Sequence, residues 1–187
     1  MALDEIRKEI DAVDTAIKPL FLKRMECAAA VAAEKAKTGG DVFVLERELA
    51  IIDKRASDVK GVHDEYVMFL RHLMSVSRRY QYGILKGMQD KVMADALAAS
   101  SLEEAAKAPH QFVEIAFTQK QAQSDLNLFI NMTKLNGIAI EDLSLRTKDG
   151  VQSIEMKLCG NVNDANMRQL LCQIGKEAEE FRIVGLV

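Results

Sequence analysis

Between residues 3 and 37, apolar side chains return at alternating steps of three and four: Leu3, Ile6, Ile10, Val13, Ile17, Leu20, then Cys27 or Ala28, and Val31. That period draws one stripe along a single amphipathic helix. Two cations stand in the stripe where further apolar residues are due. Arg24 follows Ile17 by seven positions and Lys35 follows Val31 by four. Eleven residues at 100° each return to within about 20° of the start, so the two cations share a face. A cation on a face meant for burial needs an anion, because an unpaired charge in an apolar interior is very costly. The face is therefore expected to enclose a negatively charged guest. Pro19 removes one rung of the backbone hydrogen-bond ladder, yet the stripe keeps phase across it, which favours one kinked helix over two.

The rest of the front half is also helical. Asp4 or a neighbour is expected to cap the first helix, and Thr38, Gly39, Gly40 and Asp41 to end it. After an extended piece at 42–44, a second helix starts near Leu45, with Leu45, Leu49, Ile52, Ala56 and Val59 on one face, and Gly61 breaks it. A third starts near His63 or Asp64 and carries Tyr66, Leu70, Leu73, Ser77, Gln81 and Ile84 as its stripe, its tail running on over residues 85–99. Ser77 and Gln81 lie one turn apart on the inward face. Residues 98–109 read as a helical connector broken at Pro109.

From His110 the period shifts towards two. Strands are expected at 112–117, 138–146, 151–158 and 181–187, with helices at 121–135 (Leu128, Met132 and Leu135 inward) and from Asn163 or Asp164 to about 178. Asp149-Gly150 signals a hairpin. The order β-α-β-β-α-β is that of a ferredoxin-like split sandwich. The fold class is thus an all-α N-terminal domain, residues 1–100, joined by a linker at 101–110 to an α+β domain at 111–187.

Composition narrows the chemistry. With 25 Lys+Arg against 28 Asp+Glu, a net charge of −3 leaves no basic field for nucleic acid. No apolar run reaches membrane-spanning length, and an N-terminus charged from Asp4 is unlike a signal peptide, so a cytoplasmic protein is expected. Cys27, Cys159 and Cys172 read as small buried hydrophobes, the histidines (His63, His72, His110) as surface or helix-end residues, and Met68, Met74, Met88 and Met93 as packing. No His or Cys pair stands at metal-ligand spacing, and no Ser, Cys or Lys has an evident base partner.

What remains is a polar cavity among three helices. It takes Arg24 and Lys35 from the first, Arg47 and Glu48 from the first turn of the second, and Ser77 and Gln81 from the third. Cations, one carboxylate and neutral donors suit a small, multiply anionic, oxygenated molecule. Arg7 flanks the same stripe but lies seventeen residues before Arg24, roughly 25 Å along the helix. Only an antiparallel second copy would bring Arg7 to the site, which predicts a two-fold dimer with composite sites. Taken singly, such residues have plainer roles: a snorkelling cation, a register-setting polar pair, a carboxylate favouring a helix dipole.

The run Leu3-Asp4-Glu5-Ile6-Arg7-Lys8-Glu9-Ile10-Asp11, followed by Lys23-Arg24-Met25-Glu26, Lys35, Arg47-Glu48 and Ser77 with Gln81, resembles the all-helical (AroQ-type) chorismate mutases over about residues 3–85. The resemblance implies an intertwined helical homodimer, in the isomerase class, that rearranges chorismate to prephenate without a cofactor, in phenylalanine and tyrosine biosynthesis. It implies that Arg7 of the partner subunit and Arg24 hold the two carboxylates. Lys35 and Gln81 would donate to the ether oxygen, Glu48 would accept from the ring hydroxyl, and Arg47 and Ser77 would complete these contacts. Four features depart from the family pattern. Val44 stands where an aspartate is common, a proline near Asp41 is missing, the spacing from Tyr66 to Ser77 is one residue shorter, and Pro19 is atypical.

The back half, with residues 135–143 leading into a strand, looks like an ACT domain, a module that senses amino acids in aromatic biosynthesis. The resemblance implies phenylalanine or tyrosine as effector, although the Pro-Gly usual after the first strand is replaced by residues 118–124. A ligand-free dimerising sheet is the alternative. For the front half, the rival readings are isochorismate-pyruvate lyase and a non-catalytic, amino-acid-sensing dimer.

Overall fold

The computed structural model describes residues 2–121 and 126–187. The first helix expected over residues 3–37 is there as one 36-residue element, α1 (Leu3–Thr38), with Pro19 inside it. Its start differs from expectation: Ala2 is the N-cap, and the Glu5 carboxylate accepts the Ala2 N–H at 2.9 Å. Its end is as expected. Gly39 adopts the left-handed conformation (φ 73°) and donates its N–H to the Lys35 carbonyl at 2.8 Å.

Helices α2 (Leu45–Ala56) and α3 (His63–Ile84) follow, and α3 packs against α1 and α2. The expected tail of α3 is instead a separate helix, α4 (Lys86–Ala99). Leu85 leaves helical geometry at the joint (φ −82°, ψ 67°) and buries its side chain. The Tyr82 carbonyl, whose helical partner would be the Lys86 N–H, accepts the Gln89 side-chain amide at 2.6 Å instead. The connector that follows is helical only over a 3-10 turn at Ala105–Lys107.

The back half has the expected order: β1 (Phe112–Lys120), α5 (Leu126–Leu135), β2 (Ile140–Lys148), β3 (Val151–Cys159), α6 (Ala165–Glu177) and β4 (Glu179–Leu186). The strands form one antiparallel sheet in the order β2-β3-β1-β4, which is consistent with an ACT-like domain. Asp149 and Gly150 both have positive φ in the β2–β3 turn, as that dipeptide favours. Alternation along β1 sends Val113, Ile115 and Phe117 into the core with Leu170, Leu171 and Ile174 of α6. In α5, Leu128 and Met132 point inward as expected, but Leu135 is exposed and Phe129 takes a core position against Phe117. Residues 122–125 of the expected helix 121–135, and that part of the segment replacing Pro-Gly, lie outside the described residues.

The two halves are packed along α3 and α4. Met93 and Ala96 of α4 belong to the same core as the sheet. Ala32 of α1, Tyr82 of α3 and Cys172 of α6 form a second cluster across the boundary. Gln169 and Gln173 of α6 donate to the Arg79 and Ser75 carbonyls of α3. In contrast, the first two-thirds of α1 stands clear of the rest of the chain. Leu3, Ile10, Val13, Ile17 and Leu20 are all exposed, Leu20 at 70%.

Smaller expectations are corrected by the same packing. Cys27 lies on the exposed side of α1, where Ala28 takes the buried position; Cys172 is buried and Cys159 half-buried. Met68 is exposed, whereas Met74 and Met93 are buried. His110 is a half-buried clamp, accepting the Val162 N–H at 2.8 Å and donating to the Ala108 carbonyl. No described helix is long and apolar enough to cross a membrane.

Candidate active site

The site residues arrive by local geometry. The left-handed Gly39 turns the chain back over the end of α1, so that the Lys35 ammonium donates to the Val42 carbonyl at 3.3 Å. Three residues after Val42 α2 begins, placing Arg47 and Glu48 in its first turn. On α3, Ser77 and Gln81 face inward, both buried. Arg24 crosses from α1 to donate to the Ser77 hydroxyl and to the Leu73 carbonyl, the latter at 3.3 Å.

Charge follows the same grouping. Burial lowers the Arg24 and Lys35 pKa values; Arg78 and Arg55 add to the effect on Arg24, and Arg47 to that on Lys35. Glu48 opposes the shift at both cations, so one carboxylate on α2 is felt by both members of the α1 pair. Gln81 donates weakly to the Ser77 carbonyl at 3.5 Å, and its own buried side-chain oxygen has no partner among the described residues. A buried amide held so loosely retains hydrogen-bonding capacity for another molecule.

Six of the seven expected residues (Arg24, Lys35, Arg47, Glu48, Ser77 and Gln81) come from the C-terminal half of α1, the first turn of α2 and the C-terminal half of α3. Arg47 is the outermost and is exposed. Arg7 is not brought to them within one chain. It is exposed at the far end of α1 and pairs with Asp4 at 3.3 Å. Among the described residues no cluster of His, Cys, Asp or Glu could hold a metal ion.

The sequence profile of the family described as chorismate mutase type II matches residues 6–82, from the second residue of the stripe to the last turns of α3. The helical front half is a chorismate mutase type II domain. All seven expected residues lie inside the matched span. A comparison with curated proteins gave no match.

Within this chorismate mutase domain, sequence reasoning missed Arg78. It follows Ser77 on α3 and is buried, with its side chain 6% exposed. Its Nε and Nη2 donate to the two oxygens of Glu177, from α6, at 2.7 and 2.9 Å. Its Nη1 donates to Oε2 of Glu48. The Phe43 ring covers the guanidinium, 4.7 Å from its centroid. Burial works against the Arg78 charge, but Glu177 and Glu48 outweigh it and raise its pKa. Burial pushes the Glu177 carboxyl up and Arg78 opposes this. Nothing local could have announced the arrangement, because Glu177 lies 99 positions away. The one available hint was a charge on a face of α3 next to Met74 and Tyr82, which are also buried.

Proposed function

We propose that this protein is a chorismate mutase that converts chorismate to prephenate by a Claisen rearrangement, as a homodimer whose two sites each take Arg7 from the partner subunit. The observation that carries this reading is the meeting of Arg24 with Ser77 between α1 and α3, beside Lys35, Glu48 and Gln81, inside the family match. The uncovered apolar stripe over the first two-thirds of α1 supports the dimer.

The reaction is pericyclic: one C–O bond breaks as one C–C bond forms, within one molecule and with no proton transferred. A site for it has two tasks, and these residue types suit both. Arg24 and Arg7 of the partner subunit clamp the two carboxylates and select the compact conformer in which the reacting carbons meet. Such positioning is worth up to roughly 7–11 kcal/mol in the best intramolecular cases. Lys35 and Gln81 donate to the ether oxygen as negative charge grows on it, where one preorganised donor is worth about 3–4 kcal/mol. Glu48 accepts the ring hydroxyl, and Arg47 and Ser77 complete the carboxylate and hydroxyl contacts. The chemistry calls for no metal or cofactor.

The ACT-like half, packed on α3 through α6, suits a regulatory role with an aromatic amino acid as effector, in a chain divided at residues 101–110. The test is to incubate the purified protein with chorismate and, separately, with isochorismate, following both acids and their products. Prephenate formation is the expected result. Pyruvate released from isochorismate alone would assign the lyase instead, and no turnover of either acid would leave the non-catalytic sensor. Calorimetry with phenylalanine and tyrosine tests the effector, and no heat from either would favour the ligand-free sheet.

A further inference from the structure

We infer that Glu177 of the C-terminal half, acting through Arg78, is a positioning residue for Glu48, so that the substrate site is completed from α6. This rests on the mutase reading above for the role of Glu48. The geometry makes the argument. A guanidinium offers five N–H donors in a rigid plane. Glu177 takes the edge formed by Nε and Nη2 as a two-point fork, which fixes the plane of the group. Three donors then remain, two on Nη1 and one on Nη2, and the contact made towards α2 is the single one from Nη1 to Oε2 of Glu48. Oε1 of Glu48 takes no hydrogen bond from the described residues and stays available to accept a hydroxyl. Glu177 is itself held: Gln173, one turn earlier on α6, donates to its Oε1 at 3.1 Å and also to the Ser75 carbonyl of α3.

Without Glu177, the guanidinium loses the two-point contact that fixes its plane and is free to tilt an edge with two donors onto Glu48. The guanidinium would then take both oxygens of the carboxylate the substrate needs. The second carboxylate therefore has a specific effect: by fixing the guanidinium plane it holds Arg78 in the orientation that meets Glu48 through Nη1 alone. The side chains are 6% (Arg78) and 5% (Glu177) exposed, against 20% for Glu48, so the two positioning residues are sealed and the residue they aim is open.

The test is a double-mutant cycle in the full-length protein, with KM and kcat for chorismate and a thermal melt for each variant: wild type, Glu48→Gln, Glu177→Gln and the pair. Misplacement of a positioned group by about 1 Å can cost on the order of 10²-fold, and Glu177→Gln is expected to raise KM by roughly 10- to 100-fold. In the Glu48→Gln background the same substitution should change KM by less than about twofold, because there is no carboxylate left to misplace. Arg78→Lys, which keeps the charge but cannot fork, should reproduce the Glu177→Gln effect if that variant does not fold. An equal factor in both backgrounds, or an unchanged KM, would overturn the inference while leaving the mutase intact. A wild type that does not turn over chorismate would remove the mutase reading and this inference with it.

Discussion

Lys35 joins two facts at a single residue: it is half-buried beside other cations, and it is the proposed donor to the ether oxygen. Lys35→Ala is expected to lower kcat by about 10²–10³-fold with the fold intact, measured by steady-state turnover. Burial, then Arg47, lowers the Lys35 pKa below its ordinary 10.5, so the free enzyme loses this positive donor as pH rises through that lowered value. The alkaline limb of kcat/KM should therefore fall below 10.5, and a limb at or above 10.5 would remove Lys35 from the role. Gln81, a neutral amide, should contribute no limb. Arg78 is expected to matter to stability as well as position. Arg78→Met leaves the buried Glu177 without its partner and should cost about 3–5 kcal/mol by denaturant melt at neutral pH. An unpaired buried carboxyl titrates above its unfolded value, so the loss should shrink as pH falls through that raised pKa. The residue types at Arg24, Lys35, Glu48, Ser77 and Gln81 were legible because each interrupts an apolar period or sits at a helix start. Arg78 was not, because a buried cation announces itself only with its partner, and that partner is on α6, 99 positions away.

At the scale of elements, period predicted the helices and strands well, and the misses lie where packing outweighs local signals. The break at Leu85 is one. The helical pattern runs through it, but the Gln89 side chain satisfies the Tyr82 carbonyl and burial of Leu85 holds the bend. Leu135 is another: it keeps the α5 period yet lies exposed at the helix end, while Phe129 takes the core position. The start of α2 offers a further test. Val44 is its N-cap and has no side-chain acceptor for the free N–H groups there. Val44→Asp would supply that acceptor and is expected to stabilise the protein by about 1 kcal/mol, seen as a higher Tm. The family resemblance also implies an aspartate at this position, so on the mutase reading KM for chorismate should fall. A lower Tm would mean that the loop at 42–44 cannot present an N-cap side chain.

At the scale of the molecule, the proposed site needs two chains. The stripe on α1 from Leu3 to Leu20 is exposed, although its period is that of a buried face. In an antiparallel pair that sets Arg7 between Arg24 and Lys35 of the other copy, the two-fold axis passes close to Pro19. A charge in the stripe, Val13→Asp, should dissociate the dimer and abolish turnover together, read by sedimentation and activity on the same sample. The stripe and the distance of Arg7 from Arg24 were legible in the sequence, since one follows from about 3.6 residues per turn and the other from about 1.5 Å per residue. The seam between the halves was not, because it is written in side-chain contacts between α3 and α6.

The most direct measurement mixes two inactive variants, Arg7→Ala and Lys35→Ala, after unfolding and refolding them together in equal amounts. If each site takes Arg7 from one chain and Lys35 from the other, every mixed dimer carries one intact site and random pairing restores about a quarter of wild-type activity. A mixture no more active than the two variants measured separately would contradict the shared site.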